Sequence, residues 1–323
     1  MNEHISFPKI RHFKDFISEI QYDNKDRQLI SITGTIKLHG SHADIVSANH
    51  NKFYCQSRNR IITKENDNCG FASFIDERKK IIETLINDIR IKTNSKLEDK
   101  IFINGEICGG IIQKNIALQQ LPKMFVIFNV KINSKWVDDI SIFNIEDDTN
   151  KIYSILRAPT YNLIIDTDNL YEANRNIDTI TDNVDKCCPF AKTFNIIGIG
   201  EGIVWKCTDI KYQSSRYWFK SKGQTHTEYR KIVRDKNWLK EEDNNVDFVN
   251  SVLTEARYNK GIDYLKANGF DVIISNIKYF VIYLYEDILD ECKNDIIEND
   301  LSKEKLKILI SKSGFQWYKL HIS

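Results

Sequence analysis

The sequence predicts an α+β protein in which a β-rich part comes first and an all-α part follows. Apolar and polar residues alternate over much of the first two thirds of the chain, as in 101–108, where every second residue is apolar on one face. Beyond about Lys240 the apolar residues recur at helical spacing instead. The acidic run 241–245 separates the two patterns. We therefore expect a larger domain at 1–240 and a small helical domain at 241–323.

The individual elements follow from the same periodicities. Alternation or a continuous apolar run predicts strands at 29–37, 43–47, 52–56, 101–108, 124–132, 203–206 and 217–222. Helical spacing predicts helices beginning near Phe13 and at 71–89, 246–265, 280–297 and 301–313, the last ending at Gly314. Residues 133–192 are rich in Asn and Asp, and we expect one or two strands there.

Composition excludes several classes of protein. Charged residues make up 28% of the chain and hydrophobic residues 41%, with a formal net charge of +1, so nucleic-acid binding requires local clusters of Lys and Arg. The N-terminus has no apolar signal region, and the apolar run 277–289 is too short and too charged to cross a membrane. Seven cysteines without C-x-x-C spacing indicate a reducing compartment and no zinc site. We expect a cytoplasmic protein.

A lysine at the end of the first long strand is the candidate nucleophile. Lys37 closes the β-prone run 29–37, and Gly40 follows it in a turn that would let the backbone approach a ligand. A lysine held on a rigid strand end attacks when its amine is neutral, which nearby cations or desolvation favour. Alone, the K-x-x-G pattern more often marks a solvated lysine beside a turn.

The order of further motifs changes that interpretation. Five more signals follow Lys37-x-His39-Gly40 along the chain: Arg58, Gly105-Glu106, Phe128, Glu201-Gly202-x-Val204-x-Lys206 and Lys220-x-Lys222. This series resembles the covalent nucleotidyltransferase superfamily of DNA ligases, RNA ligases and mRNA capping enzymes. The histidine in Lys37-Leu38-His39-Gly40 is similar to that of RNA ligases of the bacteriophage T4 RNA ligase 2 family.

The resemblance implies an adenylyltransferase (ATP-grasp-like nucleotidyltransferase) domain of antiparallel sheets with flanking helices. It implies a reaction in which Lys37 takes AMP from ATP, passes it to an RNA 5′-phosphate and lets an RNA 3′-hydroxyl displace it. ATP is then the cofactor, with Mg²⁺ or Mn²⁺, and the partner is RNA with such ends, as in a nicked duplex. We expect a monomer that binds no membrane.

The resemblance also implies the roles of individual residues. The expected catalytic residues are Lys37, Glu201, Lys220 and Lys222. The expected cofactor-binding residues are Ile36, Lys37, His39, Gly40, Arg58, Glu106, Phe128, Val204, Lys206, Lys220 and Lys222. The expected metal ligand is Glu201. Lys220 and Lys222 would meet the α-phosphate, and Lys206 would also contact phosphate. Glu106 would hold the ribose hydroxyls, with Gly105 beside it for close approach of the ligand, and Phe128 would stack on adenine.

Some positions depart from the family pattern. Ile36 and Asn129 stand where an acidic residue is common, and His42 stands where an asparagine is common. These differences affect RNA-end recognition more than adenylation.

Two alternatives remain open from the sequence. One is a DNA ligase or a capping guanylyltransferase of the same superfamily; both usually carry aspartate in place of His39 and a β-barrel in place of the helical tail. The other is an RNA-end-binding protein that has lost catalysis, against which the intact lysines and glutamates count.

Overall fold

A computed structural model describes residues 2–47, 52–223, 225–226 and 244–322. The chain divides into two compact units, Met1–Gln224 and Thr225–Ser323, the first mixed and the second helical in its described part. The α+β class is therefore confirmed. The domain boundary expected between residues 240 and 241 lies outside the described residues.

Thirteen strands are found in the described part of the first unit. They are β1 Arg11–His12, β2 Leu29–Lys37, β3 Ser41–Ser47, β4 Phe53–Ser57, β5 Ile61–Ile62, β6 Ile101–Cys108, β7 Met124–Ile132, β8 Lys135–Trp136, β9 Glu146–Asp147, β10 Ile152–Ser154, β11 Tyr161–Asp166, β12 Gly202–Cys207 and β13 Phe219–Lys222. The predictions for β2, β6 and β7 are correct to the residue.

Ten α-helices are found among the described residues. They are α1 Phe13–Asp23, α2 Phe71–Asp76, α3 Lys79–Thr93, α4 Leu170–Lys186, α5 Pro189–Lys192, α6 Asn244–Val252, α7 Glu255–Ala267, α8 Ile277–Glu291, α9 Lys293–Glu298 and α10 Lys303–His321. The helix expected at 71–89 is thus two helices, and α4 occupies a region where only strands were expected.

A five-stranded sheet has the order β1-β13-β12-β2-β11. Along β2, Ile30, Ile32 and Ile36 are buried in a core that also contains residues of α1 and α4, while Lys37 on the other face remains partly exposed. This alternation follows from the period of two in a strand. It leaves one face of the sheet for polar side chains.

An eight-stranded sheet has the order β5-β4-β3-β6-β7-β10-β9, with β8 also paired to β7. Its second core packs against α2 and α3 and includes Ile45, Ile103, Phe125 and Ile127. Most strand pairs are antiparallel, as expected; the exceptions are β10, which runs parallel to β7, and β1, which runs parallel to β13. Each exception is a strand of two or three residues that joins its sheet after a long connection.

The helical unit has its own core, with α8 at its centre. The helix expected at 246–265 is divided between α6 and α7, because the Thr254 side chain accepts from Arg257 N and caps a new start. The helix expected to end at Gly314 continues to His321. Gly314 does not end the helix but allows contact with α8, since a Cβ there would lie 3.0 Å from Leu284 Cδ1. No helix of the described residues is long and apolar enough to cross a membrane.

Candidate active site

The register of three adjacent strands sets Lys37 beside Lys222. Gly202 of β12 is the direct partner of Lys37 on β2 and of Lys222 on β13. A Cβ on Gly202 would come within 2.1 Å of Ser221 O, so only glycine fits between the two lysines. Both lysines lie at the same end of the sheet.

The carboxylate of Glu201 contacts both of these lysines and His39. Its Oε2 lies 2.8 Å from Lys37 Nζ and 3.2 Å from His39 Nδ1, and its Oε1 lies 3.2 Å from Lys222 Nζ. The Glu201 side chain is 3% exposed, whereas that of Lys37 is 25% exposed. The candidate nucleophile is therefore held on a buried carboxylate but is open to a ligand.

The electrostatics of this cluster favour a charged Glu201. Burial alone would raise the pKa of the carboxyl, but Lys37, Lys222 and His39 together hold its pKa well below the usual range. The carboxylate therefore remains ionised at neutral pH.

The side chain of Glu106, a residue of β6, contacts the turn that follows Lys37. Its Oε1 accepts a hydrogen bond of 3.0 Å from Gly40 N. Burial raises the pKa of Glu106, although Lys37 and His42 oppose the shift. The Glu106 carboxyl thus ties β6 to the loop that carries His39 and Gly40.

The two glycines near Glu106 are required for packing, and close approach of a ligand at these positions stays a prediction. A Cβ on Gly40 would lie 2.4 Å from Ile107 O, and one on Gly105 would lie 2.4 Å from Phe125 Cε2. Gly40 allows close contact with β6, and Gly105 makes room for a core aromatic ring.

Val204 and Lys220 lie on the same face as Lys37. They are direct partners across β12 and β13, and each is two residues along its strand from the Gly202–Lys222 pair. Lys220 is 8% exposed. The face thus continues from Lys37 and Lys222 through a valine and a second lysine.

A β-bulge positions Phe128. Asn104 pairs with Asn129, but Gly105 pairs with Ile127, so Phe128 is the extra residue of β7. Its ring meets Phe7 edge-on at 5.6 Å between centroids and lies 5.8 Å from the ring of His42. Phe128 is only partly buried, which leaves ring surface for stacking.

Lys206 lies farther along β12 from the Lys37 end. Its partner on β2 is Thr33, four residues from Lys37, or about 13 Å at the usual strand rise. Lys206 Nζ donates to Asn129 Oδ1 at 3.0 Å and lies 4.6 Å from the centroid of the Trp218 ring. Burial lowers the pKa of Lys206 to about 8. This position is beside Phe128 and not with the lysines of the Glu201 cluster, so the geometry does not support the expected phosphate contact.

Two expected site residues stand apart. The Ile36 side chain is 3% exposed and points into the core on the face opposite Lys37, so only its main chain can serve the site. Arg58 is exposed in the turn after β4 and makes no hydrogen bond or ion pair with a described residue.

A buried polar group around Asp44 was not expected from the sequence. Asp44 is fully buried; it accepts from Gln56 Nε2 at 2.9 Å and from Asn104 Nδ2 at 2.8 Å, and its Oδ1 lies 2.9 Å from His42 Nε2. Phe7 was not expected at the site either; its ring contacts those of His42, Phe128, Trp136 and Trp218. The polar residue Asp44 inside the otherwise apolar segment 43–46 was the one local signal for the buried group.

Comparison with known proteins identifies the class. The family described as RNA ligase matches residues 30–222, which is more than half of the chain and includes every candidate site residue. The chain belongs to the RNA ligase family. The resemblance to RNA ligases is therefore confirmed, whereas membership of the T4 RNA ligase 2 group stays a prediction. No curated protein matches the chain.

Solved structures of the RNA ligase of Naegleria gruberi are similar to this chain at low identity. A lysine-to-alanine variant with ATP and Mn is 16% identical, with a TM-score of 0.46, covering 68% of this chain and 57% of the other. The same ligase with PPi is 17% identical, with a TM-score of 0.46, covering 68% and 56%. A lysine-to-methionine variant with AMP and Mn is 16% identical, with a TM-score of 0.45 and the same coverage as the PPi structure. This chain thus spans less than two thirds of the length of those structures.

Proposed function

We propose that this RNA ligase works through AMP bound covalently to Lys37 and seals RNA 5′-phosphate and 3′-hydroxyl ends. The observation that carries the proposal is the contact of Lys37 Nζ with buried Glu201, at a strand end shared with Lys222. A partly exposed amine in this setting suits attack on a phosphate, because both the cations and the positioning are built into rigid strands.

The first step is a displacement at the α-phosphorus of ATP. The lone pair of Lys37 Nζ forms an N–P bond, the bond from phosphorus to the bridging oxygen breaks, and pyrophosphate leaves with that electron pair. The amine loses its proton to solvent. Lys222 and Lys220 stabilise the charge on the phosphate oxygens, and Glu201 and His39 orient the nucleophile.

The second and third steps move the AMP. An RNA 5′-phosphate oxygen attacks the phosphorus and releases Lys37; an RNA 3′-hydroxyl then attacks the 5′-phosphate and releases AMP. Arg58, exposed beyond β4, can reach a phosphate outside the Lys37 cluster, such as an RNA end.

The nucleoside would extend from Lys37 along both sheets. Glu106 has one carboxyl oxygen on Gly40 N, and its other oxygen suits a ribose hydroxyl. Phe128 and Val204 suit the two faces of the base, with the main chain at Ile36 beside it.

ATP would carry a divalent cation, Mg²⁺ or Mn²⁺. Among the described residues, no group of three or more His, Cys, Asp and Glu side chains is arranged to hold a metal ion. A cation held by Glu201 would have to replace a contact of this carboxylate with Lys37, His39 or Lys222, and nucleotide phosphate oxygens would supply its other ligands. Such a cation neutralises charge that develops on the phosphates.

We further propose a cytoplasmic monomer that acts on nicked duplex RNA. None of the seven cysteines, all of which are described, forms a disulfide, in agreement with a reducing compartment. The helical unit carries lysines on exposed positions such as Lys266 and Lys305, which suit the phosphates of a duplex.

Labelling with ATP tests the proposal. With ATP labelled at the α-phosphate and Mg²⁺ or Mn²⁺, the wild-type chain should retain label after acid denaturation, and Lys37→Ala should not. Lys80→Ala, an exposed lysine of α3, is the matched control and should label normally. Parallel reactions with GTP and a panel of nicked RNA, DNA and hybrid duplexes separate the RNA ligase from capping enzymes and DNA ligases. Absence of label with both metals would contradict the proposal.

A further inference from the structure

Two buried asparagines face each other at the bulge of β7. Asn104 of β6 and Asn129 of β7 are direct partners and are 4% and 1% exposed. Asn104 Oδ1 and Asn129 Nδ2 have no hydrogen-bond partner among the described residues. An acceptor and a donor in this state are costly to bury unless a further polar group, such as one of a bound ligand, pairs with them.

Charged neighbours fix the orientation of both amides. Asp44 accepts from Asn104 Nδ2, which turns the oxygen of Asn104 away from Asp44. Lys206 donates to Asn129 Oδ1, which leaves the Nδ2 of Asn129 available as a donor. A carboxylate only accepts and an ammonium only donates, so neither amide can reverse without losing its partner.

Gln56 fixes Asp44 in turn. Gln56 Nε2 donates to Asp44 Oδ2 at 2.9 Å and to Ile5 O at 2.6 Å, while Gln56 Oε1 accepts from Ile5 N at 3.2 Å. Because its oxygen is occupied by a main-chain N–H, Gln56 can present only its amino group to Asp44. The hydrogen bonds from Ile5 to Gln56, from Gln56 to Asp44 and from Asn104 to Asp44 thus fix the orientation of the Asn104 amide.

The pair lies where the base of a nucleotide on Lys37 would end. Asn104 is two residues from Glu106 on the same face of β6, about 7 Å farther from the Gly40 turn. Asn129 immediately follows Phe128 in β7. A nucleotide with its phosphate at Lys37, its ribose at Glu106 and its base at Phe128 would therefore place the edge of the base at the two amides.

We propose that Asn104 and Asn129 read the polar edge of adenine and make the site select ATP over GTP. Adenine presents a donor, the 6-amino group, next to an acceptor ring nitrogen, and this order complements an acceptor from Asn104 and a donor from Asn129. Guanine carries an oxygen at position 6, which would face Asn104 Oδ1 with two acceptors opposed. The inference rests on the proposed function, since it takes the nucleotide on Lys37 as the ligand.

Binding to the full chain carrying Lys37→Met, which cannot form the covalent bond, tests this inference by calorimetry. The probes are ATP and purine riboside 5′-triphosphate, which lacks only the 6-amino group. The Lys37→Met chain, which keeps Asn104, should bind ATP about tenfold more tightly than the purine analogue. With Asn104→Ala added, the preference should disappear, because the acceptor for the amino group is gone. Asn176→Ala on the exposed face of α4 is the control and should keep the preference.

Asn129→Ala leaves the Asp44 contacts intact and serves if Asn104→Ala does not fold. It should weaken ATP binding about tenfold. A preference that survives Asn104→Ala, or ATP affinity unchanged in Asn129→Ala, would overturn the inference while the labelling of wild-type Lys37 leaves the proposed function standing. Failure of the wild-type chain to take label from ATP would instead remove the proposed function itself.

Discussion

Two clusters of charged side chains, one in each unit, differ in their balance of acids and bases. In the first unit, one carboxylate, Glu201, contacts two lysines and a histidine, and Lys37 is 25% exposed. In the helical unit, Arg257 and Lys260 contact Asp287 and Glu291; the Lys260 side chain is 27% exposed and the other three are at most 4% exposed. Each cluster joins side chains from different elements.

We therefore interpret the helical cluster as structural and the Glu201 cluster as the proposed active site. The helical cluster brings two bases to two acids and joins α7 to α8, so its charges balance one another. The Glu201 cluster brings more bases than acids to a strand end and leaves the amine of Lys37 accessible. A phosphate would balance the excess positive charge of the Glu201 cluster, whereas the helical cluster has equal numbers of acids and bases.

The largest effect is expected from breaking the helical cluster. Arg257→Met should lower the free energy of unfolding of the helical unit by about 3–5 kcal/mol, because it leaves Asp287 and Glu291 buried with only Lys260 opposite them. Urea unfolding followed by circular dichroism measures this change. Adding Asp287→Leu should recover part of the loss; a double variant no more stable than Arg257→Met would refute the structural interpretation.

The Glu201 cluster should respond in rate rather than in stability. Lys222→Met should slow the labelling of Lys37 about 10²- to 10³-fold, because a cation positioned for the phosphate oxygens is removed. Its effect on unfolding should be smaller than that of Arg257→Met, since Glu201 keeps Lys37 and His39. Single-turnover labelling and urea unfolding give the two numbers. Equal rates in Lys222→Met and wild type would place the phosphate elsewhere.

A smaller, pH-dependent effect should arise at the other end of the site. The pKa of Lys206 is lowered by burial to about 8, so the unfolded chain binds more protons than the folded chain above that pH. The contribution of Lys206 to the free energy of unfolding should therefore rise with pH from about 8 to 10, by about 1 kcal/mol between about pH 8 and pH 9. Buried cysteines with raised pKa values lower stability over the same range, so the contribution of Lys206 is measured as the difference in the free energy of unfolding between the wild type and Lys206→Met. This difference should change with pH between about 8 and 10, whereas the difference between the wild type and Lys80→Met should not; a pH-independent difference for Lys206→Met would exclude Lys206 as the source.

Local periodicity was enough to predict much of the fold. The boundaries of β2, β6 and β7 are correct because their alternation or apolar run is uninterrupted. Helix α4 was missed because most of its 17 residues are polar and only a narrow stripe, Ala173, Ile177, Thr181 and Val184, is buried. The end expected at Gly314 was wrong because the signal for a helix stop is also the signal for close helix packing.

The site was predictable in its motifs but not in its long-range contacts. The order of Lys37, Glu106 and Glu201 along the chain indicated the family, but their meeting depends on strand register. The bulge at Phe128 and the Asp44–Asn104 contact join residues separated by long stretches of sequence. No local pattern encodes such pairings, which is why Lys206 was expected at a phosphate and Asn104 was not expected at all.

The most direct test of the central claim is to locate the AMP. After reaction of the wild-type chain with ATP and Mg²⁺, proteolysis and mass spectrometry should find a single peptide carrying one AMP, with the modification on Lys37 and acid-stable. Label on any other residue, such as Lys220 or Lys222, with Lys37 unmodified would contradict the account.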